Sequence, residues 1–323
     1  MSCYYPRKGY LQNGKMLFQK PSGHSGAYVK IACKLCVGCR LDHRRNWATR
    51  MMHEASMHPD SQFVTFQYND ESIPPDGDLY QRDMQLFFKR LRRKLPERKI
   101  RYVYSGEYGE KYSRPHYHAI IFGLSLPDKI IKDTNDRGEA LYQSEFLENI
   151  WGNGFTTIGA VSYQSCAYVA AYMLKDINGD YRKTDDEGNP NPYHTIDLST
   201  GELTVRKRPY ARYSNRPGIG AAWIDKYYRD VFPQDRVITM DGIRPVPPYY
   251  FHRLKKLDPK LYEIVKAKRE ASLDDEIVQA NATPERLKVR ETVKVAKIKS
   301  FKRGSKKSEP NKTFYTSGDN HNA

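Results

Sequence analysis

Two histidines set two residues apart, His116 and His118, are the side chains of this sequence best placed to hold a metal ion. They lie in Arg114-Pro115-His116-Tyr117-His118-Ala119-Ile120-Ile121-Phe122, a β-prone run. Residues two apart on a strand share a face, so both imidazoles point one way and Tyr117 the other. Such a pair can chelate a divalent ion; a pair of solvent-facing histidines has the same spacing. A third ligand separates the two readings. Glu107 ends the preceding strand-like run, and a turn near Glu110 to Arg114 brings it beside the histidines if the hairpin register puts all three on one face. Glu110 competes for the role but falls in the turn. Two imidazoles and a carboxylate leave coordination positions open for water and phosphate oxygens. Mg2+ or Mn2+ suits that use, and imidazole also accepts Zn2+.

Tyr168 and Tyr172, four residues apart, share one face of a helix that also carries Lys175. Their hydroxyls are candidate nucleophiles; an amphipathic helix that uses tyrosine for packing shows the same stripe. Cys33, Cys36 and Cys39 have the spacing of a structural zinc site, with Cys3 or His43 available as a fourth ligand. Free thiols are the alternative.

These residues need a scaffold. Arg40 to Met57 reads as a helix with Trp47, Met51 and Ala55 near one face, and Gln62 to Tyr68 as a strand. Asp78 is placed to cap a helix running to Leu95, with Met84, Phe87, Phe88, Leu91 and Leu95 as its apolar stripe. Ile100 to Glu107 and His116 to Phe122 read as strands, Tyr142 to Trp151 as a short helix, Gly154 to Val161 as a strand, and Ser165 to Lys175 as a helix. A further helix covers Gly220 to Phe232. The link from Glu107 to His116 is too short for a parallel crossover. The expected fold class is therefore α+β, a central antiparallel β-sheet with helices mainly on one face. Three regions are expected: an N-terminal segment with cysteines and a helix over residues 1–60, a catalytic domain over 61–254, and a charged, helical to disordered basic tail over 255–323, disordered from Ser300.

The chain has 323 residues, with 54 Lys+Arg against 38 Asp+Glu, a net charge of +16 and 25 tyrosines. This balance favours a polyanionic partner. Tyrosine joins apolar area to a hydroxyl and suits a wet nucleic-acid groove. Arg114, Arg212 and Arg216 are candidate DNA contacts, with surface charge as the alternative. After Thr283 the tail holds eleven Lys+Arg and four Asp+Glu, which adds sequence-independent phosphate affinity. No apolar run reaches the roughly 18 residues of a membrane span. The first eight residues lack the apolar stretch of a signal peptide, and five cysteines, three of them clustered, do not look like a secreted disulfide framework, so a cytoplasmic location is expected.

Together, His116-Tyr117-His118 and Tyr172-Met173-Leu174-Lys175 resemble the HUH endonucleases, whose mark is a His–hydrophobic–His strand followed by a helix with one or two nucleophilic tyrosines. Tyr168 matches the extra tyrosine of two-tyrosine members. More narrowly, Cys33-Lys34-Leu35-Cys36-Val37-Gly38-Cys39-Arg40-Leu41, Trp47-Ala48-x-Arg50, His53-Glu54, Gly106-Glu107-Tyr108-Gly109-Glu110, Trp151-Gly152-x-Gly154 and Arg216-Pro217-Gly218-Ile219-Gly220 look like the replication initiators of microviruses, closest to the gokushovirus branch. The resemblance covers roughly residues 1 to 255. It implies a rolling-circle initiator that nicks single-stranded origin DNA, with Tyr172 as first nucleophile, Lys175 supporting developing charge, and a 5′-phosphotyrosine and free 3′-OH as products. It also implies host polymerase and helicase as partners in the cytoplasm of a bacterial host. A relaxase or transposase of the same superfamily, or a non-catalytic single-stranded nucleic-acid-binding protein, is the alternative.

Overall fold

The computed structural model describes residues 2–13, 15–23, 26, 28–109, 112–135, 137–178, 194–196, 200–201, 203–239 and 242–307. In chain order the elements are β1 (Arg7–Gln12), β2 (Lys15–Leu17), β3 (Val29–Ile31), α1 (Val37–Ala55), β4 (Ser61–Tyr68), α2 (Gln81–Lys94), β5 (Arg101–Tyr108), β6 (Pro115–Phe122), β7 (Ile130–Thr134), β8 (Ala140–Gln143), α3 (Glu145–Trp151), β9 (Gly154–Gly159) and α4 (Tyr163–Asn178). There follow β10 (His194–Ile196), β11 (Leu203–Val205), β12 (Tyr210–Tyr213), α5 (Ala221–Val231), β13 (Arg236–Thr239), β14 (Gly242–Pro245), α6 (Pro248–Leu257), α7 (Pro259–Ala271), α8 (Glu276–Ala280) and α9 (Pro284–Lys307). The chain forms two compact units, residues 1–39 together with 271–323, and residues 40–270.

The larger unit is α+β. Its seven-stranded sheet runs β12-β5-β6-β4-β9-β8-β7, and every neighbouring pair is antiparallel. Alternation along the strands gives the sheet two apolar faces. Val64, Phe66, Tyr68, Tyr104, Tyr117, Ala119 and Ile121 turn to one side, where Met84, Phe87, Phe88 and Leu91 of α2 and Leu147, Ile150 and Trp151 of α3 cover them. Val103, Ile120 and Phe122 turn to the other, under Trp47 and Met51 of α1 and Cys166, Val169, Ala170 and Met173 of α4. Helices thus cover both faces, not mainly one as expected, because residues of both parities on β5 and β6 are apolar. A third cluster joins α5, α6 and α7 through Ile224, Val231, Phe232, Tyr250, Leu254 and Val265.

Three local expectations are corrected. Helix α2 begins at Gln81 after Tyr80, and Asp78 accepts from the Tyr108 hydroxyl and the Lys207 amide instead of capping it. Tyr142 and Gln143 belong to β8, while Ser144 caps α3 by accepting from the Leu147 amide at 3.2 Å, so the helix starts at Glu145. The cysteine-bearing N-terminal region contains three short paired strands, whose residues are mostly exposed and so carry no burial alternation. Further on, α9 continues past Ser300 to Lys307, and residues 308–323 lie outside the description.

The packing of α1 against α5 and α6 rests on a buried histidine. The His53 ring stacks on Trp223 at 3.5 Å and 12°, and its Nδ1 lies 2.9 Å from the Tyr250 hydroxyl. Burial lowers its pKa from 6.5 to about 4. The unfolded chain therefore binds the extra proton first, and stability is full above pH 6.5 and falls as the pH drops towards 4. The loss is at most about 3 kcal/mol from this residue. Urea unfolding at pH 7 and pH 4.5 should show a clearly smaller acid loss in His53→Gln than in the wild type; equal losses would contradict the assignment.

Candidate active site

The hairpin β5–β6 pairs Glu107 with His116 and Ser105 with His118. Its turn closes through the Gly109 amide on the Arg114 carbonyl at 2.9 Å and the Ser113 amide on the Gly109 carbonyl at 2.9 Å. Glu110, the competing carboxylate, lies outside the described residues. Tyr117 points to the opposite face and is fully buried, its hydroxyl donating to the Tyr80 carbonyl at 3.0 Å and accepting from the Tyr80 amide at 2.9 Å. A polar tip is therefore satisfied at the middle position of the His-x-His strand, and its anchoring holds the register that faces the histidines towards Glu107.

The Nε2 atoms of His116 and His118 both meet one carboxylate oxygen, Glu107 Oε1, at 3.0 and 2.8 Å. The three ligand groups lie within 4.8 Å of one another. Neighbouring donors of an octahedral cation with bonds of about 2.1 Å stand about 3.0 Å apart, so this donor set fits a small divalent ion. Burial alone would raise the Glu107 carboxyl, but the hydrogen bonds from His116 and His118 outweigh it and hold the pKa at about 2. Burial pushes His118 down and keeps its ring neutral. An ionised carboxylate beside a neutral imidazole is the state a metal takes up.

Backbone and side chain then orient the rings. His116 Nδ1 lies 3.2 Å from the Arg114 carbonyl, which can only accept, so Nδ1 carries the proton and Nε2 faces the centre. Facing Glu107 at 3.0 Å, that nitrogen needs a second proton or a shared cation. His118 Nδ1 lies 3.0 Å from Thr65 Oγ1, on the strand opposite. A hydroxyl can donate or accept, so Thr65 serves His118 in either tautomer. Phe63 stacks beside the same ring at 5.9 Å. Sequence reading missed Thr65; the signal available was its place between Phe63 and Gln67, one strand face shared with the histidines once the register is known.

Helix α4 lies over this face because Ala167 and Ala170 are small and buried, which lets it approach β5 and β6, and Arg44 of α1 donates to the Ala167 carbonyl at 2.8 Å. The Tyr168 hydroxyl reaches Glu107 Oε1 at 3.2 Å and His118 Nε2 at 3.3 Å. The Tyr172 hydroxyl donates to that of Tyr168 at 3.1 Å, and its ring stacks on His118 at 6.1 Å. Burial, then the bond to Tyr168 and the Glu107 charge, raise the Tyr172 hydroxyl above the ordinary phenol range. The two tyrosines are thus brought to the ligand group, with Tyr168 nearer than Tyr172. Lys175 lies on the same helix, with its side chain outside those described.

The candidate DNA contacts are spread out. Arg114 adjoins the histidines and bonds Asp70 at 2.6 Å and the Tyr68 carbonyl at 3.1 Å. Arg212 pairs with Tyr104 on β12, on the sheet face away from the histidines, and donates to Gln81 at 3.2 Å. Arg216 is exposed beyond the far end of β12, six residues along β5 from Glu107, about 20 Å at strand rise. Cys33, Cys36 and Cys39 come together with Cys3, all four thiols within 4.8 Å of one another. His43 turns instead towards Trp47, with ring centroids 6.3 Å apart. Among the described residues, no helix is long and apolar enough to cross a membrane.

Residues 61–177, from the first site strand through the tyrosine helix, match the family model for replication-associated proteins of the ORF2 type. The chain is 32% identical over 270 residues to replication-associated protein VP4 of Bdellovibrio phage phiMH2K, covering 80% of this chain and 79% of the relative. It is 29% identical over 254 residues to replication-associated protein ORF2 of Spiroplasma virus 4, covering 74% and 73%. Against replication-associated protein ORF4 of Chlamydia phage 1 it is 26% identical over 231 residues, covering 69% of this chain and 53% of the relative. No solved structure matches.

Proposed function

The chain belongs to the replication-associated proteins of microviruses, and from that premise we propose that it initiates rolling-circle replication by cutting and rejoining single-stranded origin DNA with a tyrosine. The observation that carries this reading is the ending of two tyrosine hydroxyls, 3.1 Å apart, on the ligand atoms of His118 and Glu107. His116, His118 and Glu107 are the residues that would hold a Mg2+ or Mn2+ ion. When bound, the ion supplies Lewis-acid polarisation of the scissile phosphate.

The protein's own groups do the rest. A tyrosine oxygen attacks phosphorus, the bond from phosphorus to the 3′-oxygen breaks, and that oxygen takes a proton to leave as a 3′-OH. The tyrosine proton is lost and the 5′-phosphate stays on the enzyme, so the phosphodiester energy is kept for rejoining. Tyr168 hands its hydroxyl hydrogen towards Glu107 Oε1, and Tyr172 hands its own towards Tyr168. Tyr172 occupies the Tyr-x-x-Lys position and is the first nucleophile in that register; Tyr168 stands ready to cut the regenerated origin while Tyr172 is esterified. Lys175, three residues on, supports the developing negative charge. Arg114 takes the phosphate next to the cut, and Arg212 and Arg216 fall to more distant stretches of DNA. The free 3′-OH serves a host polymerase, with a host helicase opening the duplex, in the cytoplasm of the bacterial host.

The direct test is incubation with single-stranded origin DNA and Mn2+, followed by denaturing electrophoresis. A covalent protein–DNA adduct is expected from the wild type and from at least one of Tyr168→Phe and Tyr172→Phe, and at least a roughly 100-fold drop from the double variant, in line with loss of a nucleophile. An undiminished adduct in the double variant contradicts the assignment, and no adduct from any form favours a DNA-binding module. Separately, Thr65→Val should weaken Mn2+ binding by about 10–100-fold, read by calorimetry, because the His118 ring loses its orienting partner. Unchanged affinity would remove Thr65 from this role.

A further inference from the structure

Four cysteines away from the tyrosine site form a second centre. Cys3 comes from the N-terminal segment, Cys33 and Cys36 from the loop after β3, and Cys39 from the first turn of α1. Their sulfurs lie within 4.8 Å of one another, and Cys33 Sγ is 3.9 Å from Cys39 Sγ. That separation is about twice a disulfide bond of roughly 2.0 Å. It is close to the roughly 3.8 Å edge of a tetrahedron with zinc–sulfur bonds of about 2.3 Å.

The surrounding backbone is built for thiolates. The amides of Leu35 and Cys36 both donate to Cys33 Sγ, at 3.4 and 3.3 Å, where the chain reverses through Lys34 at a left-handed φ of 65°. The Cys33 amide donates to Cys3 Sγ at 3.2 Å, and the Tyr4 amide to Cys36 Sγ at 3.4 Å. Amide hydrogens aimed at sulfur stabilise its anionic form, which is the form that binds metal. Gly38 lets the N-terminal segment lie against the start of α1, since a Cβ there would stand 1.7 Å from the Ser2 carbonyl oxygen. Cys3 reaches the other three by this close approach. The described residues of this smaller unit bury little apolar side chain beyond Cys3, Cys36 and Leu287. A unit so poor in core commonly needs a metal or another covalent staple.

We propose that Cys3, Cys33, Cys36 and Cys39 bind one structural Zn2+ that fastens the N-terminal segment to the start of α1, with Cys3 rather than His43 as the fourth ligand. The site is independent of the tyrosine chemistry, so neither reading stands or falls with the other. It is closed, with four protein ligands and no position left for substrate.

The test uses the full-length protein. Metal content by mass spectrometry should give one zinc per chain in the wild type, in His43→Ala, in Cys166→Ser and in the double variant His116→Ala/His118→Ala. Cys3→Ser and Gly38→Val should retain less than a tenth of it. Because those two variants can lose zinc by misfolding, Co2+ exchanged into the wild type provides a second readout, with the intense sulfur-to-cobalt absorption and visible bands of a tetrahedral four-thiolate site expected. Full zinc in Cys3→Ser, loss of zinc in the histidine double variant or in His43→Ala, iron in place of zinc, or a cobalt spectrum of octahedral type would each overturn the proposal.

Discussion

Glu107 faces His116 because β5 and β6 pair in one register, and the larger unit's chemistry depends on that pairing. A slip of one residue would turn Glu107 to the opposite face of the sheet and separate it from both imidazoles. Several unrelated features hold the strand in place. Tyr117 locks its hydroxyl to the backbone of Tyr80, the Gly109 to Arg114 turn closes the hairpin, and Gly106 leaves room for the Tyr117 ring, since a Cβ there would meet that ring at 3.0 Å. The core on one face of the sheet thereby fixes the ligand geometry on the other.

The same pairing creates an electrostatic tension. A carboxylate held ionised among buried rings raises the nearby Tyr172 hydroxyl and keeps it protonated. A nucleophile in that setting is quiet until positive charge arrives, as the proposed function requires, because a cation and a phosphate enter together. The helix that carries the tyrosines is held by packing of small residues and by Arg44, so the hydroxyls are positioned before any ligand is bound.

Much of this was legible in the sequence. The His-x-His alternation, the short link to Glu107 and the four-residue tyrosine spacing each follow from local periodicity, and the sheet places all of them on one face. What was not legible depends on long-range pairing. Thr65 is a neighbour of His118 only because β4 and β6 are adjacent, and nothing local to Thr65 announces it. The helices divide between two faces because β5 and β6 are apolar on both parities, whereas a one-sided sheet would alternate. The order of the two tyrosines along the helix gives no distance to the ligands; the structure places Tyr168 nearer. Cys3 lies thirty residues before the clustered cysteines, too far for spacing alone to choose it over His43.

The central claim is that a DNA 5′-phosphate becomes attached to one of two tyrosines on α4. The most direct measurement is mass spectrometry of the adduct formed with origin DNA and Mn2+, trimmed by nuclease and digested to peptides. The account predicts a nucleotide joined through its 5′-phosphate to Tyr168 or Tyr172. A nucleotide joined to any other residue, or linked through its 3′ end, would contradict it.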